Sequence, residues 1–124
     1  MAKYLLILTA LAEAATGTAL LAVPSVVTSL LFGAPLESSG AVAAAHVAGA
    51  ALLAIGFACW LVREEGQAPA GRAVIKSMLL YNLAVGAVLT HAGLVLGIIG
   101  IGLWPAVVAH GVLAVWCIAI LRRA

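Results

Sequence analysis

YLLILTALAEAATGTALLAV, residues 4–23, decides the fold. It is apolar and about as long as a helix needs to cross the hydrocarbon core of a bilayer. One charged side chain interrupts it, Glu13, near the middle. A carboxylate at that depth costs roughly 2.5–3.5 kcal/mol on insertion scales, so it needs a partner, a proton or a task.

The rest of the chain repeats the theme. Of its 124 residues 66% are hydrophobic and 8% charged, against about a quarter charged in a soluble domain. A small water-soluble fold leaves too much surface wet to hide this much apolar area. The expected fold class is therefore all-α: an integral membrane four-helix bundle, one domain over residues 1–124. Spans are expected near 4–23, 41–62, 73–96 and 105–121. Lys3, the apolar run and Ala10-Leu11-Ala12 resemble a cleavable signal, but the segment is expected to be retained as the first span.

The connections carry turn chemistry. Pro24 opens PSVVTSLLF, read as a short helix over 24–32 lying at the outer interface, with Gly33 as its stop. Residues 33–40, GAPLESSG, and 63–72, REEGQAPAGR, read as loops. Residues 97–102, GIIGIG, read as an apolar connection, after which Trp104-Pro105 opens the last helix with Pro at its first position. Gly49 and Gly56 make the second span a close-packing helix, expected at the centre of the bundle. Cys59 and Cys117 are expected to behave as small buried hydrophobes.

All six Lys and Arg residues flank one set of helix ends: Lys3, Arg63, Arg72, Lys76, Arg122 and Arg123. The opposite connections, 24–40 and 97–104, hold none. The positive-inside rule then places both termini and the central loop on the cytoplasmic side. Basic residues so placed are topology markers, and no nucleic-acid partner is expected. AVAAAHVAGAALLAIGFACW (41–60) faintly echoes PAVVAHGVLAVWC (105–117), as two parallel hairpin halves would.

Polar groups sort by depth. At 1.5 Å per residue, Glu13, Asn82 and His110 fall in one layer near the midplane, with Tyr81 beside them. His46 and His91 lie higher, in the outer third. Asn82 and His91 are nine residues apart, on opposite faces of one helix, so a single small site cannot take both.

Three readings of these groups stand open. Glu13, protonated or paired to His110 and tied to Asn82, serves as glue between helices. Alternatively, Glu13 and His110 form a titrating, proton-linked pair. Thirdly, the bundle holds a lipophilic cofactor: haem b between facing histidines such as His46 and His91, or a quinone or lipid in an apolar slot. No nucleophile–base motif is present and no catalytic residue is assigned. No metal site is expected, since no His, Cys, Asp or Glu pair has ligand spacing on a helix.

LAEAATGTAL (11–20) resembles the first helix of the small multidrug resistance exporters, four-helix proteins of similar length. That likeness implies that Glu13 binds proton and cationic drug in turn. The Trp-containing wall of that family has no counterpart in the third helix here. LLFGAPLE (30–37), ACW (58–60), LLYN (79–82) and LWPAVVAH (103–110) are similar to the DoxX-like group of small bacterial membrane proteins. That group includes partners of quinone-linked oxidoreductases. The likeness implies a non-enzymatic accessory or assembly subunit. Small-residue faces on the second and third spans suit a homo-oligomer or a larger membrane complex.

Overall fold

The computed structural model describes residues 1–123, and among these every regular element is helical. Five helices follow in order: α1 Ala2–Ala22, α2 Pro24–Phe32, α3 Ser39–Leu61, α4 Pro69–Leu94 and α5 Leu103–Arg122. Four of them, all but α2, are long and apolar enough to cross a membrane.

Local chemistry sets the boundaries. Pro24 has no N–H to continue α1 and a φ suited to a helical start, so α1 stops and α2 begins there. Gly33 closes α2 at φ 78°, the left-handed cap that glycine adopts without strain. The Ser38 hydroxyl accepts from the Ala41 N–H at 3.1 Å and caps α3. α4 begins at Pro69, four residues before the expected start at 73, because Pro69 itself takes the first helical position. α5 begins at Leu103, so Pro105 sits two residues inside it, within the first turn, rather than at its first position. The early turn tolerates this, since those N–H groups lack helical partners anyway.

Packing divides the helices into two antiparallel pairs, α1 with α3 and α4 with α5. In the first pair the backbones nearly touch. A Cβ added to Gly17 would lie 2.6 Å from the Gly49 carbonyl oxygen, and one added to Gly49 would lie 2.8 Å from that of Gly17. Gly56 meets the Ala10 backbone in the same way, at 2.9 Å. This seam uses only one face of α3, and most of α3 faces outward. The helix with the most buried residues is α1, not α3. The glycines of α3 mark a close approach to one neighbour, and close approach does not require a central place.

The pairs meet through side chains. Leu5, Leu6, Ala10, Cys59, Ile75, Met78, Cys117 and Ile120 form the main core. Both cysteines are free and buried. A smaller cluster, Leu89, Ala92 and Leu103, closes the far end of α4 and α5. The two pairs run parallel to each other in a shared register. Buried positions Ala2, Leu6, Thr9, Glu13 and Leu20 of α1 correspond to Gly71, Ile75, Met78, Asn82 and Leu89 of α4, each shifted by the same 69 places. Gly56 and Cys59 of α3 correspond likewise to Ala114 and Cys117 of α5. Glu13 and Asn82 are thus counterparts.

The ends differ in character. At one end gather the start of α1, the end of α3, the start of α4 and the end of α5. Lys3 pairs with Glu64 at 2.7 Å, and the Arg63 guanidinium lies 4.1 Å over the Trp60 ring. Arg72 donates to the Leu121 carbonyl at 3.4 Å. At the far end α2 packs on the 97–102 connection: the Gly102 N–H donates to the Leu30 carbonyl at 2.8 Å. Gly100 lies against the Leu31 backbone so closely that any side chain there would collide with it.

Candidate functional site

Residues i and i+4 of a helix share a face. On α1 that face carries Thr9, Glu13 and Gly17, all buried, while Thr16 turns outward. Glu13 is 5% exposed. Across from it, α4 offers two consecutive polar residues, which helical geometry points about 100° apart. Tyr81 therefore faces α1 and Asn82 faces α5.

Two hydrogen bonds follow from this split. The Tyr81 hydroxyl donates to Glu13 Oε2 at 3.1 Å. His110 of α5 meets Asn82 Oδ1 through Nδ1 at 2.8 Å. Asn82 Nδ2 donates to the Met78 carbonyl at 2.7 Å. That bond fixes the amide orientation, because a flipped Oδ1 would face another acceptor. Asn82 Oδ1 must then accept, so His110 carries its proton on Nδ1 and keeps Nε2 as an acceptor when neutral. The Tyr81 and His110 rings stand edge to face, centroids 5.6 Å apart at 73°. Glu13, Tyr81, His110 and Asn82 thus form one connected layer that spans both helix pairs.

The layer matches the expected depth but not the expected pairing. Glu13 is bonded to Tyr81, not to His110, and His110 is bonded to Asn82. The reason is local: consecutive residues on α4 serve opposite neighbours, and Asn82 lies on the α5 side. Such contacts between membrane helices are worth about 0.6–2 kcal/mol each.

A cleft of about 560 Å³ opens beside this layer, between α4 and α5. Asn82, Gly86, Thr90 and His91 border it from α4, and Val107 and Gly111 from α5. The Thr90 hydroxyl donates to the Gly86 carbonyl at 2.7 Å, which leaves its oxygen lone pairs available. Asn82 and His91 both border the cleft although they lie on opposite faces of α4, because its lining covers a wide strip of the helix, with Asn82 buried at one margin and His91 exposed at the other. Its volume lies in the range typical of small-molecule sites, about 300–1,000 Å³. No Lys, Arg, Asp or Glu borders it.

The glycines explain why the cleft exists. Gly17 is packed tightly, but Gly86, its counterpart on α4, has only the His110 Cβ within reach, at 3.8 Å. Around Gly111 nothing lies within 4 Å. The corresponding place on α3 is filled by Leu53, whose side chain packs at 3.1 Å from the Gly17 position. Small residues bring α1 and α3 together, whereas between α4 and α5 they leave space. Sequence reasoning missed Gly86, Thr90 and Gly111 because a glycine reads the same in both roles.

The remaining candidates lie apart. His46 is half-buried on α3 and does not border the cleft. His91 is exposed on α4 at its edge. Glu13 is not among the residues that border it either. Among the described residues no group of three or more His, Cys, Asp or Glu could hold a metal ion. No protein-family model matches the chain, and no curated protein or solved structure is similar to it.

Proposed function

We propose that this chain is a four-span protein of the bacterial inner membrane that holds a neutral lipophilic molecule in the α4–α5 cleft. Helix length and hydropathy support the spans. The gathering of all six basic residues at one end supports cytoplasmic termini. One observation carries the binding reading: Gly86 and Gly111 leave open space where their counterparts Gly17 and Leu53 fill it. An uncharged groove with a few hydrogen-bonding groups suits a quinone or a neutral lipid. The chain works as an accessory subunit in a homo-oligomer or a larger membrane complex.

The test is small-molecule mass spectrometry of gently purified protein, wild type against Gly111→Leu. The variant places in α5 the side chain that α3 already carries at its counterpart, Leu53. A quinone or neutral lipid near one per chain in the wild type, lost in a variant of unchanged helicity, supports binding. Equal amounts of ordinary phospholipid in both refute it. An absorption spectrum of the same sample reads the haem alternative through its Soret band.

The buried Glu13–Tyr81 bond favours a second reading, a proton-coupled exporter of small cations. In it the carboxyl exchanges a proton for a substrate as the two helix pairs part. Resistance to cationic dyes that vanishes with Glu13→Gln is its signature.

A further inference from the structure

We infer that the 95–102 connection is not a water-facing loop but dips into the outer leaflet to the headgroup–acyl boundary, as a submerged rim of the α4–α5 cleft. The inference rests on the membrane reading above and adds a place and an entry route to the binding site.

The sequence LVLGIIGIG, residues 94–102, contains no polar side chain. Ile99 and Ile101 are 85% and 81% exposed, among the most exposed large hydrophobics of the chain. Leu94, Val95 and Leu96 are exposed as well, and they continue the outward apolar face of α4 without a break. Such a stretch in water would be a liability, whereas in lipid it is an ordinary surface. The counterpart connection between α2 and α3 differs: it carries Glu37 and Ser38, both exposed.

Irregular backbone enters lipid only where its polar groups are satisfied. Here half of the donors are. The N–H groups of Val95 and Leu96 both donate to the His91 carbonyl, at 2.8 and 3.3 Å. Ile98 donates to Ala92 at 3.1 Å and Gly102 to Leu30 at 2.8 Å. The N–H groups of Gly97, Ile99, Gly100 and Ile101 have no protein acceptor and are left to headgroup or water oxygens. The backbone therefore stays at the headgroup–acyl boundary while its isoleucine side chains reach into the acyl chains.

Leu94 and Val95 also border the cleft. A submerged connection puts the outer end of the cleft under lipid, so the ligand enters sideways from the outer leaflet and not from the aqueous phase. His91 and Thr90 then meet its polar group near the interface while its apolar body runs inward toward Asn82.

The experiment is nitroxide labelling of single cysteines in a Cys59→Ala/Cys117→Ala chain reconstituted in phospholipid vesicles. Labels go at Ile99, at Leu80 on the outward face of α4, and at Glu37. Collision with oxygen reports lipid exposure, and collision with a water-soluble nickel chelate reports water exposure. The expected result is that Ile99 resembles Leu80, with oxygen access exceeding nickel access, while Glu37 shows the reverse. Nickel access at Ile99 equal to that at Glu37, with Leu80 still shielded, overturns the inference alone. Low access to both reagents at Ile99 also overturns it, because protein and not lipid then covers the rim. High nickel access at Leu80 overturns the membrane reading itself.

Discussion

Replacing Gly17 with Ala tests the asymmetry between the two helix pairs directly. The new Cβ would sit 2.6 Å from the Gly49 carbonyl oxygen and 2.9 Å from the Leu53 nitrogen, both backbone atoms of α3. Neither can rotate away. Restoring an ordinary 3.4 Å contact moves α1 and α3 apart by about 0.8 Å, and a gap of that order forfeits a quarter to a half of each dispersion contact along the seam. Overpacking of this kind costs about 1–3 kcal/mol, while the better helix propensity of Ala returns about 1 kcal/mol. The net loss is about 0–2 kcal/mol. At Gly86 the same substitution meets only the His110 Cβ, at 3.8 Å, an ordinary contact. There the propensity gain stands alone, and Gly86→Ala is neutral or stabilising by up to about 1 kcal/mol. The assay is reversible unfolding in mixed micelles, followed by helical circular dichroism as the fraction of denaturing detergent rises. The two variants are expected to differ by about 1–3 kcal/mol, with Gly17→Ala the weaker. Equal stability, or the opposite order, would refute the claim that glycine joins one pair and spaces the other.

The polar layer yields further tests. A double-mutant cycle on Asn82→Ala and His110→Ala should give a coupling of about 0.6–2 kcal/mol, because each residue is the other's partner; a coupling near zero contradicts the bond. Glu13→Gln keeps an oxygen for the Tyr81 hydroxyl and should fold at wild-type yield, whereas Tyr81→Phe leaves the carboxyl without its donor and should lower the unfolding midpoint. A collapse in expression of Glu13→Gln would instead point to an ion pair that the geometry does not contain. At the basic end, Lys3 holds the Glu64 carboxyl below its ordinary value of 4.5. A depressed carboxyl contributes stability above that value and loses it as the pH falls through the lower, folded one. Lys3→Met should therefore flatten the acid limb of the pH–stability curve slightly, and added salt should do the same to the wild type.

Much of this architecture is legible in the sequence because lipid imposes a simple length rule. A run like residues 4–23 announces a span, and Pro24 with Gly33 brackets α2 to the residue. The depth of Glu13, Asn82 and His110 also follows from counting residues along a helix. What counting cannot supply is azimuth between helices. Whether Glu13 meets His110 or Tyr81 depends on how α4 is rotated, and Tyr81 and Asn82 differ by one residue but face different neighbours. The place of α3 was misread for a related reason: Gly49 and Gly56 signal a close approach, and the sequence does not say on how many sides. Gly86 and Gly111 show the limit most clearly. The same residue type joins backbones at Gly17 and holds a groove open at Gly111, and only the neighbour's position separates the two.

The parallel register of the two pairs bears on how such a chain can arise and insert. A unit of two spans returns the polypeptide to the side of the membrane from which it set out. A second unit appended to it meets the insertion machinery in the same phase and needs no reversal of its charge pattern. A unit with an odd number of spans would have to be rewritten, loop by loop, to sit upside down. Here the pair that carries Glu13 and the pair that carries Asn82 sit the same way up, so a change to the central residue of one leaves the orientation of the other undisturbed. One pair is close-packed while the other holds a groove open.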